Sequence, residues 1–101
     1  MKTRFIVIHA KGPSWDPTKL RREQTGWDEH AAFMDKLTAE GFILLGGPLG
    51  DGDGDDAMLV VDAPDEETVV SRLADDCWKK SGKLVVKSIQ RWTILLEAEN
   101  K

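Results

Sequence analysis

The stretch 25-TGWDEHAAFMDKLTAEG-41 decides the fold prediction, because its apolar residues recur at the spacing of a helix. At about 100° per residue, four apolar side chains lie within about 60° of His30: Trp27, Phe33, Met34 and Leu37. Thr25 followed by Asp28 indicates a capping box at the start, and Gly41 ends the pattern. The sequence therefore predicts a helix over residues 25–41 that directs His30 into the protein interior.

Composition is that of a globular protein with one domain over residues 1–101. The hydrophobic fraction is 41% and the charged fraction 32%, which is enough for a single core. The net charge of −4 gives phosphate backbones no attraction, so no nucleic-acid partner is expected. Cys77 is the sole cysteine and cannot form an internal disulfide. Without a signal-peptide pattern or an apolar run near ~18 residues, we expect a cytoplasmic protein that does not bind membranes.

Apolar, β-branched runs predict four strands, and two helices lie between them. The strands are expected at residues 5–8, 42–45, 58–61 and 84–96. Pro64 and Asp65 begin a second helix that extends to about Ala74. The order strand, helix, strand, strand, helix, strand is the ferredoxin-like split βαβ (βαββαβ) arrangement of the α+β class. Right-handed crossovers then give the strand order 4-1-3-2.

This topology brings several chemically interesting residues to one end of the sheet. His9 ends the first strand there, and His30 lies in the second turn of the first helix. The turn 46–50 follows the second strand, and Asp76 follows the second helix. The long loop 11–24 is expected to cover the same end, as structured loops over sites often do. We therefore predict a single cleft at this end.

The strands also predict a partner. Two helices can cover only one face of a four-stranded sheet, yet each predicted strand has apolar residues at consecutive positions. Leaving the other face in water would expose a larger apolar patch than monomers usually tolerate. A homodimer through the sheet faces is therefore expected.

Five short motifs together resemble the YCII-related (YciI-like) domain family. They are Gly12-Pro13 with Trp15, Trp27-x-x-His30-x-x-Phe33-Met34, Gly46-Gly47-Pro48-Leu49, Ala74-Asp75-Asp76-x-Trp78 and Trp92-Thr93. The resemblance covers nearly the whole chain and implies a ferredoxin-like dimeric α/β barrel. It also implies a pocket with His30 and Asp76 as a catalytic pair, and a proline in the place of Cys77. Some members of the family resemble dehydrochlorinases that act on chlorinated hydroxyquinones.

The candidate catalytic residues also have structural interpretations. A buried histidine such as His30 is often a core residue satisfied by a hydrogen bond. An aspartate at the same end would accept one ring N–H and leave the other nitrogen for substrate. The spacing to Trp78 favours Asp76 over its neighbour Asp75 for that role. His9 could line the pocket or simply end a strand at the surface.

Further side chains are predicted to bind substrate. Arg21 and Arg22 could hold an anionic group, although arginines in a loop are more often solvated. Trp15 and Trp27 could stack on a flat organic ligand, or pack in the lid and the core. The predicted substrate-binding set is completed by His9, Gly47, Pro48 and Trp78.

No metal or cofactor is predicted. Asp51, Asp53 and Asp55 resemble the start of a calcium loop, but its sixth and twelfth positions do not match and strands flank the run, so an acidic hairpin is expected. Two histidines and one cysteine lack zinc-ligand spacing. The turn 46–50 enters a hairpin instead of a helix, unlike a phosphate-binding loop. A nucleophilic Cys77 beside the site is an open alternative.

Three functional hypotheses follow. The first is a small enzyme without a cofactor, in which His30, oriented by Asp76, moves a proton on a small organic acid or phenol-like substrate by elimination or isomerisation. The second is a non-catalytic dimeric module that binds a small ligand or a partner protein. The third is a purely structural barrel, which predicts that apolar residues can replace both His30 and Asp76.

Overall fold

The computed structural model of this chain describes residues 2–50 and 56–98. Four strands form one sheet: β1 (Lys2–Lys11), β2 (Ile43–Pro48), β3 (Asp56–Val61) and β4 (Leu84–Ile94). The helices are α1 (Trp27–Ala39), α2 (Glu66–Leu73) and α3 (Cys77–Ser81). A 3-10 turn spans Arg21–Glu23 within the long first loop.

Strand β1 lies between β3 and β4 in the sheet order β2-β3-β1-β4. Each neighbouring pair of strands is antiparallel. The predicted strand order and the ferredoxin-like α+β fold are thereby confirmed. In the β1–β3 register Phe5 lies opposite Val61 and Val7 opposite Leu59, so these four side chains share one face of the sheet.

The hydrophobic core lies between that face and the helices. Its buried residues come from β1, β2, β3, α1, α2 and the segment entering β2: Phe5, Val7, Leu37, Phe42, Ile43, Leu59, Val61, Val69 and Leu73. The strand residues in this list are two positions apart and the residues of α2 are four apart, because side chains at these spacings point to the same side of a strand or of a helix. The β-branched and aromatic side chains suit a pleated sheet surface.

The opposite face of the sheet is incompletely covered in the single chain. Ile6 and Ile8 alternate with the core residues of β1 and are only half-buried. Val85 and Trp92 are 40% and 41% exposed. Burial of the strands on both faces is therefore not achieved within one chain, because the helices pack on one side only.

The start of α1 differs from the predicted capping box. Gly26 is the N-cap, with φ of +84°, and no side chain caps the helix. A β-carbon at Gly26 would lie 3.3 Å from the Trp78 ring nitrogen, so both the backbone angle and the close approach favour glycine. The helix consequently begins at Trp27, two residues after Thr25, and its carboxyl end is followed by Gly41 at φ +82°.

Helix α2 begins as predicted, because Asp65 accepts a hydrogen bond from the Thr68 backbone nitrogen at 2.8 Å. Helix α3 was not predicted. Its N-cap is Asp76, which accepts from the Trp78 backbone nitrogen at 3.1 Å, and Gly82 at φ +82° ends it. Strand β4 stops at Ile94, two residues before its predicted end.

The interpretation of Asp51, Asp53 and Asp55 as an acidic hairpin instead of a calcium loop falls outside the described residues. Within residues 2–50 and 56–98, no helix has the length and apolar character needed to cross a membrane.

Candidate active site

A buried histidine and a buried aspartate meet at one end of the sheet. His30 Nδ1 lies 2.8 Å from Asp76 Oδ2 and 3.0 Å from Asp76 Oδ1, although the residues are 46 positions apart. His30 is 6% exposed and Asp76 1%. Asp75, the alternative considered from sequence, is exposed. Since a carboxylate only accepts hydrogen bonds, Nδ1–H donates and Nε2 is the ring nitrogen left for other contacts.

Helix α3 holds the Asp76 carboxylate in place. Its Oδ1 accepts the Trp78 backbone N–H at 3.1 Å, so one side chain both caps the helix and meets the imidazole. The backbone of α3 continues from there, since Lys79 N and Lys80 N both donate to the Asp76 carbonyl. The orientation of the carboxylate is therefore set by local backbone structure.

Trp78 fixes the plane of the His30 ring. The two rings stack with centroids 4.0 Å apart and an interplanar angle of 8°. Trp78 is 1% exposed, and its indole nitrogen donates to the Thr25 carbonyl at 2.8 Å. Trp78, for which the sequence predicts substrate binding, stacks on the imidazole and is not among the residues that line the cavity. These contacts hold the imidazole between Trp78 and Asp76.

A cavity of about 450 Å³ opens beside His30. Of the residues predicted from sequence, it is lined by His9, Arg21, Trp27, His30, Gly47 and Pro48. The cavity is also lined by residues of the sheet and of α1 that the sequence did not predict: Met34, Asp35, Thr38, Ile43, Leu45, Gly46, Ala57, Leu59 and Leu84. Most of these are apolar strand residues, so only the sheet register could have placed them.

His9 lies on the helix-facing side of β1 and is 3% exposed. Burial lowers the pKa of His9 to about 3, with a smaller lowering from the charges of Lys79 and His30 that the Asp76 carboxylate opposes. Its Nε2 is buried and has no hydrogen-bond partner among the residues that the structure describes. His9 therefore belongs to the pocket and not to the surface end of a strand.

The loop 11–24 is organised by Gln24, a residue that sequence reasoning did not select. This buried amide donates to the carbonyls of Asp16 at 2.8 Å and Lys19 at 3.0 Å. Its oxygen accepts from the Asp16 backbone nitrogen at 3.0 Å and from Lys83 Nζ at 3.3 Å. A glutamine inside a long Gly- and Pro-containing loop is a weak sequence signal, and nothing local identifies its partners.

Of the residues in loop 11–24 that are predicted to bind substrate, one lines the cavity. Arg21 lines the cavity, while its guanidinium carbon lies 5.2 Å from the Trp15 ring centroid. Trp15 packs edge-on to Trp78 with centroids 5.6 Å apart, so it serves as loop packing and not as a cavity wall. Arg22 lies over the Trp27 ring at 5.7 Å, outside the cavity.

Cys77 does not have the environment of a nucleophile. Its Sγ donates to the Gly26 carbonyl at 3.6 Å. Burial raises the pKa of the Cys77 thiol, and the carboxylates of Asp76 and Glu29 raise it further. The thiolate is the reactive form, so these surroundings disfavour nucleophilic chemistry at this sulfur.

Taken together, the fold and the site define a small α+β domain with a histidine–aspartate pair beside a cavity. The sequence profile of the YCII-related domain matches residues 5–93, and the chain belongs to this family. The resemblance seen in the sequence motifs is therefore confirmed.

Among solved structures, the chain is similar to a protein with which it shares a TM-score of 0.64 and 26% sequence identity. It is 5-chloro-2-hydroxyhydroquinone dehydrochlorinase (TftG) from Burkholderia phenoliruptrix AC1100, in complex with 2,5-dihydroxybenzoquinone. The match covers 88% of this chain and 93% of that one. No curated protein matches the chain.

Proposed function

We propose that this chain is a small cofactor-independent enzyme that transfers a proton on a phenolic or anionic organic substrate, in an elimination or an isomerisation. His30 is the general acid/base and Asp76 orients it. The observation that carries the proposal is the 2.8 Å contact between His30 Nδ1 and Asp76 Oδ2, made by an imidazole that also lines a cavity.

The chemistry follows from the two ring nitrogens. Asp76 accepts the Nδ1–H, so Nε2 presents its lone pair to a ligand and can take a proton. The imidazolium formed in that step has a carboxylate at 2.8 Å on one side and the Trp78 ring stacked at 4.0 Å on its face. Both surroundings favour the positive charge. General acid/base catalysis of this kind typically accelerates a reaction about 10²–10⁴-fold.

The cavity walls support a flat, largely apolar substrate. Ile43, Leu59 and Leu84 contribute apolar surface, and Arg21 contributes a cation that could pair with an oxygen anion. The ligand and the substrate named for the similar TftG structure are hydroxylated six-membered rings. We therefore propose the same class, hydroxylated quinones or hydroquinones, for this chain. Dehydrochlorination of a chlorinated hydroquinone of this class releases one proton and one chloride ion and leaves a quinone, so it needs no electron acceptor.

The test begins with a thermal-shift screen of hydroxylated aromatics that includes 2,5-dihydroxybenzoquinone. Chloride release and product formation are then measured with 5-chloro-2-hydroxyhydroquinone and with its structural analogues. We expect His30→Asn to lose about 10²–10⁴-fold in rate while remaining folded, because the amide cannot shuttle the proton. Turnover by His30→Asn at the wild-type rate would refute the proposal.

A second candidate function is a non-catalytic binding module. The extent of apolar cavity wall favours it, since small-molecule pockets are predominantly apolar with a few polar groups. The same screen separates the two functions, because ligand binding without any product would support the module over the enzyme.

We also propose that two copies of the chain pair through the uncovered sheet face and act in the cytoplasm. Val85 and Trp92 are large apolar side chains exposed on that face at 40% and 41%. Twofold pairing of identical faces is the commonest way in which such a surface is buried.

A further inference from the structure

His9 is a buried polar side chain that the proposed proton transfer does not use. It is 3% exposed, and its Nε2 is buried with no hydrogen-bond partner in residues 2–50 and 56–98. Leaving a buried ring nitrogen unsatisfied carries a free-energy cost, so such groups in folded proteins call for an explanation. A ligand that supplies the missing partner is one explanation.

The position of His9 on β1 favours that explanation. His9 lines the same cavity as His30. Its cross-strand neighbour on β3 is Ala57, whose small side chain leaves space beside the imidazole. The register between β1 and β4 shifts between Ile8 and His9. Irregularities of this kind occur next to functional sites, where they redirect a side chain.

The electrostatic surroundings make His9 a neutral group. Lys79 of α3 and His30 of α1 face it as cations or potential cations, and the Asp76 carboxylate faces it as an anion. Burial is the largest cause and, with the charges of Lys79 and His30, lowers the pKa of His9 to about 3 against the opposing Asp76 carboxylate, so the imidazole is uncharged near neutral pH. Next to the Asp76-paired His30, it offers a hydrogen bond without competing for the transferred proton.

We propose that His9 is a substrate-binding residue whose Nε2 hydrogen-bonds an oxygen atom of the substrate that is distinct from the group reacting at His30. The inference rests on the proposed function, because it assumes a substrate in the cavity. The substrate class is then a ring with at least two polar functions. One of them meets His30, the other is an oxygen at His9, and the apolar walls contact the ring between them.

The experiment compares ligands that differ by one hydroxyl group. Phenol supplies a ring and one oxygen, while catechol, resorcinol and hydroquinone place a second oxygen at each position around the ring. Binding of the four compounds is measured by NMR titration of the wild-type protein, His9→Phe and His9→Gln. Phenylalanine keeps a ring without hydrogen-bonding atoms, and the glutamine amide lies near the place of Nε2.

We expect at least one of the three dihydroxybenzenes to bind the wild-type protein about tenfold more tightly than phenol, the factor that corresponds to about 1.4 kcal/mol. His9→Phe should lose that advantage, and His9→Gln should retain most of it. The melting temperature of His9→Phe should equal or exceed that of the wild-type protein, because the variant removes an unsatisfied nitrogen. A clear drop in melting temperature would instead indicate a structural role and contradict the proposal.

Two other results would overturn the inference. One is a wild-type protein that binds all four compounds alike. The other is a dihydroxybenzene advantage that survives in His9→Phe. Neither result depends on turnover, whereas the proposed enzyme fails only if His30→Asn keeps the wild-type rate. The two failures are therefore distinguishable.

Discussion

Replacing Asp76 with asparagine separates the chemical role of the carboxylate from its structural role. In the wild-type protein, Oδ2 and Oδ1 lie 2.8 Å and 3.0 Å from His30 Nδ1, and Oδ1 also accepts from the Trp78 backbone nitrogen at 3.1 Å. In Asp76→Asn the amide oxygen can still cap α3. The amide NH₂, however, then faces Nδ1 and can only donate, so the imidazole must carry its proton on Nε2.

Asp76→Asn should change the stability of the protein much less than its reaction rate. Stability should fall by only about 1 kcal/mol, because both hydrogen bonds persist with the charge removed. The rate should fall on the order of 10²–10⁴-fold, because the nitrogen facing the cavity no longer has a lone pair to accept a proton. Asp76→Ala removes the partner of a buried nitrogen and the cap as well, so we expect it to lose about 2–4 kcal/mol.

Urea unfolding and initial rates on the same preparations measure both effects. Asp75→Asn is the matched control, since this neighbouring aspartate is exposed, and it should change neither quantity. An Asp76→Asn protein with the wild-type rate would refute the role given to the tautomer of His30. Equal stabilities of Asp76→Asn and Asp76→Ala would refute the capping role.

Two further predictions concern pH and assembly. The pKa of His9 falls from 6.5 to about 3 on folding. Between these two pH values the unfolded chain binds a proton at His9 and the folded chain does not. The free energy of unfolding therefore decreases as the pH is lowered through this range. In urea unfolding at several pH values, this dependence should be less steep in His9→Phe by up to about 1.4 kcal/mol per pH unit, and equal slopes would contradict it. Trp92→Lys should convert a dimer into a monomer of 11.3 kDa in light scattering, whereas Val70→Lys on an exposed helix position should not. Equal masses for the wild-type protein and Trp92→Lys would count against the sheet-face dimer.

The fold was predictable because its determinants are periodic. Apolar runs of β-branched residues locate the strands, and the order of elements, with right-handed crossovers, then leaves one arrangement of the sheet. The predicted start of α1 was wrong, and the cause does not lie in the periodic pattern. Gly26 turns the chain at φ +84° directly beside the Trp78 ring, and a residue 52 positions away in the sequence has no effect on a local capping rule. Helix α3, with five residues, is too short to show a period.

The site was only partly predictable for a related reason. Topology alone brings His30 and Asp76 to the same end of the sheet, but it does not reveal that Trp78 stacks on the imidazole or that Gln24 holds the covering loop. Those contacts depend on side-chain directions in irregular segments. The unsatisfied Nε2 of His9 is likewise visible only once the surrounding strands are packed.

Cys77, where the family resemblance implies a proline, leaves the contact between His30 and Asp76 intact for a simple reason. Cys77 is the first residue of α3, a position where proline is favoured because its fixed φ suits the helix and its missing N–H is not needed there. A cysteine at this position lacks the fixed φ angle of proline, but it leaves the hydrogen bond from the Trp78 backbone nitrogen to Asp76 in place. Its Sγ in addition contacts the Gly26 carbonyl at the start of α1. The segment that supplies the carboxylate thus stays tied to the helix that supplies the imidazole.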